Sequence, residues 1–64
     1  MKYPNITVQL TGNDGNAFAI LGSVSKALRR NDVPKEEIDA FYSQATAGDY
    51  DALLNTCMEW VNVL

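Results

Sequence analysis

Cys57 is the only cysteine in a chain of 64 residues, so no intrachain disulfide can staple the fold. No histidine is present either, which removes the usual small-domain zinc sites. The chain must therefore close on apolar packing alone. A sequence this short removes only about 60% of its unfolded surface from water on folding, so each large side chain counts. Hydrophobic residues make up 47% of it and include one Trp, three Tyr and two Phe, enough to build a core and too many for a disordered segment. One small domain spanning residues 1–64 is expected. A lone free thiol points to a reducing compartment. Residues 1–5 lack the charged segment and apolar run of a signal peptide, and no apolar stretch approaches the roughly 20 residues that span a bilayer. A cytoplasmic location and no membrane association are expected.

Along the chain, Ile6, Val8 and Leu10 alternate with Thr7 and Gln9, the period-two pattern of a half-buried strand over Asn5–Leu10. Turn formers and potential helix caps then crowd Thr11–Asn16. From Asn16 to Arg30, Ala17, Ile20, Leu21, Val24, Ala27 and Leu28 recur at three- and four-residue steps and predict a first helix. Asn31-Asp32-Val33-Pro34 ends it. Pro34 suits the cap or first turn of a second helix, with Glu36 and Glu37 at its positive dipole end and Val33 and Ile38 at staple spacing. That helix presents Ile38, Phe41, Tyr42 and Ala45 on one face and is expected to end at a left-handed Gly48. Asp49 then caps a third helix whose stripe runs through Tyr50, Leu53, Leu54, Cys57, Met58 and Val61, with Trp60 on its flank. Tyr50, Leu53, Leu54 and Met58 are its expected core anchors. The tail is ambiguous: Val61 and Leu64 continue the helical stripe, whereas Val61 and Val63 suit a strand. Ile6–Leu10 otherwise has no partner, which favours the strand.

Several short runs together resemble a family of small uncharacterised proteins encoded by bacteria and their phages. They are Asp14-Gly15-Asn16-Ala17-Phe18, Ala27-Leu28-Arg29, Glu36-Glu37-Ile38-Asp39 with Phe41, Gly48-Asp49-Tyr50-Asp51 with Leu53-Leu54, and Met58-Glu59-Trp60-Val61. The resemblance covers nearly the whole chain. It implies no activity, and it departs at Pro34, where those relatives carry a capping serine.

Charge and residue types narrow the function. Five Lys and Arg against eight Asp and Glu give a net charge of −3, which opposes approach to phosphate backbones, so no nucleic acid partner is expected. Without histidine, Ser/His/Asp and Cys/His catalysis and carboxylate-plus-histidine di-iron sites are absent. Cys57 lies inside an apolar stripe and reads as a buried inert thiol. The acids Glu36, Glu37, Asp39, Asp49 and Asp51 lack calcium-loop spacing and read as solvated dipole partners. No catalytic residue, metal ligand or cofactor is nominated, and the chain reads as no enzyme.

Two places retain interest. Asp14, Gly15 and Asn16 form a loop before the first helix where free N–H groups can bind an anion, although the loop lacks the Lys-Ser/Thr of nucleotide fingerprints and Asp14 repels phosphate. Turn-and-cap duty accounts for the same residues. Phe18, Gly22, Lys26 and Arg29 lie along one flank of the first helix as a possible interaction edge, although basic residues at a helix C-terminus also complement its dipole. The fold expected is α+β: a short N-terminal strand, a compact three-helix bundle and a short C-terminal strand pairing with the first; an all-α three-helix bundle is the alternative. The function expected is a non-enzymatic interaction or regulatory module acting through a protein partner and forming a homodimer across the Phe18 edge. The alternative is a binder of a small anionic metabolite or nucleotide at an oligomer interface.

Overall fold

A computed structural model describes residues 1–10 and 15–64. Strand β1 (Tyr3–Val8) leads to helices α1 (Ala17–Arg30), α2 (Lys35–Ala45) and α3 (Tyr50–Trp60), and then to strand β2 (Val61–Val63). The architecture is α+β, with β2 beside β1 in a two-stranded sheet, and the all-α alternative falls away. The strands run parallel, which a crossover through three helices permits and a tight hairpin does not. Tyr3 pairs with Val61, and after a register shift Thr7 pairs with Asn62 and Val8 with Val63. Beyond the strands, the Leu64 N–H donates to the Val8 carbonyl at 2.9 Å and the Leu10 N–H to the Leu64 carbonyl at 3.0 Å.

β1 begins two residues earlier than its alternation suggests and includes Pro4. Proline has no N–H to give a ladder, and in a two-stranded sheet each strand has an open edge where that loss is tolerated. Ile6 and Val8 point into the core, as their spacing requires.

The helix boundaries follow from local hydrogen bonds. The Asn16 side chain accepts from the Phe18 N–H at 2.8 Å, and the Asp49 carboxylate accepts from the Ala52 N–H at 2.9 Å, so both act as N-caps. At the end of α1 the Val33 N–H reaches the Leu28 carbonyl and the Asp32 N–H reaches that of Arg29, a Schellman ending. Its left-handed position holds Asp32, with φ of 61°, where glycine is commoner. Val33 and Ile38 are both buried and staple the entry to α2 over Pro34. The end of α2 differs from expectation: the helix stops at Ala45, and Gly48 is not left-handed. Glycine is needed there for space, because a Cβ at Gly48 would lie 2.8 Å from the Ala52 Cβ.

The core joins Ile6 and Val8 of β1, Ile20, Leu21, Val24 and Leu28 of α1, Ile38, Phe41 and Ala45 of α2, Leu53, Cys57 and Trp60 of α3, and Val61. The buried line of α3 is Leu53, Cys57 and Trp60, not Tyr50, Leu54 and Met58. Trp60, expected on the flank, is only 3% exposed. Its ring meets Phe41 edge-on at 5.6 Å and lies 6.0 Å from Tyr3, while its indole N–H donates to the Gln44 side chain at 3.0 Å. Burying an indole with its N–H paired turns the helix so that the other half of its apolar arc faces outward.

Candidate functional site

The apolar arc of α3 is wider than the protomer can cover. Leu53, Cys57 and Trp60 occupy one side of it, and at 100° per residue Tyr50, Leu54 and Met58 fall on the other. Met58 is 51% exposed and Tyr50 43%, while Leu54 is half-buried. These side chains border a groove of about 370 Å³ whose opposite wall is Leu10, Ile20, Val63 and Leu64. The groove lies beyond the C-terminal ends of both parallel strands, beside the start of α1. No charged side chain lines it among the described residues.

Tyr50 divides this groove from a second, of about 280 Å³, between the start of α1 and the α2–α3 turn. Ala17, Leu21, Ala45 and Leu53 form its floor, Asp49 sits at its rim, and Phe18 stands beside it. Phe18 is 83% exposed, so it serves as no lid for the core. The Tyr50 hydroxyl donates to the Gly15 carbonyl at 2.6 Å, which ties the entry of α1 to α3 and fixes the ridge between the grooves.

Of the residues singled out in sequence, Phe18, Gly22, Lys26 and Arg29 share the exposed flank of α1 as spaced. Asp14 lies outside the described residues. Gly15 and Asn16 are placed, but both are engaged within the chain: Gly15 through its carbonyl to Tyr50, and Asn16 through its side chain to the Phe18 N–H. Sequence reasoning missed Tyr50, Leu54, Met58, Leu10 and Leu64 as groove residues. The available signal was the breadth of the apolar arc in α3, too wide for a single packed stripe. Tyr42, expected on the buried face of α2, is 42% exposed.

At the opposite corner a polar cluster closes over Trp60. The Lys2 ammonium lies 4.3 Å from the indole centroid and 2.8 Å from the Glu37 carboxylate, which also accepts from the Tyr3 hydroxyl at 3.1 Å. Those two donors hold the Glu37 carboxyl below the ordinary carboxylate range. Burial, and then the bond to Glu37, push the Tyr3 phenol above its ordinary value. Burial likewise raises the Cys57 thiol, so the sulfur stays protonated and poorly nucleophilic.

Among the described residues no group of His, Cys, Asp and Glu side chains is arranged to hold a metal ion, and no helix is long and apolar enough to cross a membrane. Compared with models of known protein families, with curated proteins and with solved structures, the chain matches none.

Proposed function

We propose that the protein is a non-enzymatic interaction module that docks a protein partner on the two apolar grooves flanking Tyr50. One observation carries the reading: Phe18, Tyr50 and Met58 stand exposed around two grooves walled mainly by aliphatic side chains, in a chain that elsewhere encloses Phe41 and Trp60 and pairs the Trp60 indole N–H. Contiguous apolar surface rimmed by polar residues is characteristic of interaction sites. The chemistry of the chain supports the same reading, since Cys57 is buried and held as a thiol and no histidine is available as a base. An anionic metabolite finds less support, because among the described residues no cationic side chain lines the larger groove, and the Asn16 side-chain oxygen already accepts from the Phe18 N–H at the start of α1. A cytoplasmic setting and kinship with small bacterial and phage proteins agree with the lone free thiol and with the sequence runs that carry the resemblance.

Site-specific photo-crosslinking in the native host tests this reading. A benzophenone side chain placed at Met58 should yield a discrete protein adduct, and the same group at Glu36, exposed on α2, should not. Equal labelling at both positions, or no protein adduct at Met58, overturns it.

A further inference from the structure

We propose that the partner at the Phe18 side of this surface is a second copy of the chain, packed antiparallel along α1 about a two-fold axis through Gly22; the proposal rests on the interaction reading above. The first observation is Gly22 itself. It sits in the middle of a 14-residue helix, where glycine is less stable than alanine, and the protomer gives no reason for it. Its φ is not left-handed, and a Cβ built on it would meet nothing within 4 Å. A residue that weakens its own helix without local compensation is explained when another backbone comes close to it.

The neighbours of Gly22 suit that approach. At 100° per residue, Phe18, Lys26 and Arg29 all fall within about 40° of Gly22 around the helix. With a rise of 1.5 Å per residue, Phe18 and Lys26 lie about 6 Å on either side of it along the axis. A two-fold axis through Gly22 therefore sets Phe18 of each copy against Lys26 of the other, ring against aliphatic stem and ammonium. The glycine leaves room for the helices to come together there. One patch pairing with itself in this way closes the assembly at two copies.

Charge complementarity selects a second copy over an unrelated partner. The C-terminal half of α1 carries Lys26, Arg29 and Arg30, none of which forms an ion pair among the described residues, and Asp32 offsets only part of their charge. The other end of the same helix lies beside Asp49, which sits on the rim of the groove next to Phe18. The helix is thus basic at one end and bordered by the Asp49 carboxylate at the other, and an antiparallel pair sets each basic end against the other copy's acidic one. The Arg29 guanidinium of one copy then extends past Phe18 toward Asp49 of the other, so each protomer contributes both halves of the match.

Sedimentation equilibrium from micromolar to millimolar protein tests the proposal, with Gly22→Leu as the principal variant. Leucine is the better helix former, Gly22 is exposed and an added Cβ there meets nothing within 4 Å, so the thermal midpoint of dilute protein should hold or rise. Its side chain blocks close approach, and the dimer dissociation constant should rise about tenfold or more. Arg29→Glu should weaken the dimer in the same direction, most strongly at low salt. A wild type that stays monomeric throughout, or a Gly22→Leu protein that associates like wild type, overturns the proposal. A benzophenone at Phe18 separates this failure from failure of the interaction reading. An adduct to the peptide containing Lys26 of another copy supports self-association. An adduct to a different protein alone sinks self-association and leaves the interaction reading standing, and no adduct to any protein at Phe18 or Met58 removes both.

Discussion

The two ends of α3 carry similar aromatic residues and treat them in opposite ways. At its C-terminus Trp60 is buried between Phe41 and Tyr3, its N–H is paired with Gln44, and Lys2 and Glu37 close over it. At its N-terminus Tyr50 is 43% exposed, its neighbour Phe18 lies almost wholly in solvent, and aliphatic grooves open on both sides. The chain can evidently enclose a large ring and satisfy its polar tip, since it does so one helix length away. The open end is therefore not a failure of a small domain to find enough core. Its apolar arc is surplus to the fold, and surplus apolar surface in a protein of 64 residues is what a partner can use.

The largest expected effect lies at the closed end. Phe41 is fully buried against Trp60, and Phe41→Ala removes a ring that nothing nearby can replace. The expected cost is about 3–5 kcal/mol. Total stability at this length is on the order of 3–10 kcal/mol, so the variant should lose about a third of it or more in urea titrations at room temperature. A cost below about 1 kcal/mol would mean that the two ends do not differ in the way the contacts indicate.

Substitutions at the open end should be much milder. Leu54 is half-buried along the groove wall, and Leu54→Ala should cost about 1 kcal/mol, less than the full cavity penalty its place in the sequence stripe suggests. Met58→Ser, at a side chain half in solvent, should cost under about 0.5 kcal/mol. Urea midpoints at unchanged slope measure both. If Met58→Ser costs 2 kcal/mol or more at concentrations where the protein is monomeric, about the loss expected of a buried side chain, the groove is closed within the protomer and the contrast between the ends disappears.

Much of the fold is legible in the sequence, because each cue acts locally. The alternation of Ile6 and Val8, the caps at Asn16 and Asp49 and the staple of Val33 with Ile38 need no knowledge of distant residues. The need of the first strand for a partner predicts β2. What stayed hidden depends on contacts far along the chain. Leu53, Leu54, Cys57 and Met58 offer two phases for one helix, and only the docking of Trp60 on Phe41 and Tyr3 chooses between them. The grooves are the consequence of that choice, so sequence could name Phe18 but not Met58 or Leu64. Gly48 misled for a related reason: its role is set by the approach of Ala52, and α2 ends at Ala45 with its cap Thr46 in ordinary right-handed φ.

The smallest expected effect tests whether charge helps to hold the closed end. Glu37 accepts from both the Lys2 ammonium and the Tyr3 hydroxyl, and its folded pKa lies below the ordinary value of 4.5 because both donors favour the carboxylate. The native state thus prefers the charged form more than the unfolded chain does. Its contribution is present above the ordinary carboxylate pKa and is lost as pH falls through the lower folded value. Tyr3 acts in the other direction. Its folded pKa is raised above 10.0, so its contribution is complete below that value and is lost as pH rises through the folded one. Glu37→Gln should leave the fold intact, flatten the acid limb of the stability profile below about pH 4.5 and reduce part of the alkaline loss, since burial first and then the Glu37 carboxylate raise the Tyr3 phenol. Lys2 and Glu37 are partly in solvent, so added salt should shrink the wild-type acid response toward that of the variant. Thermal melts across the pH range, at low and high salt, decide the matter. An acid limb identical in wild type and Glu37→Gln would show that packing alone encloses Trp60, and the two ends of α3 would then differ in shape without differing in charge.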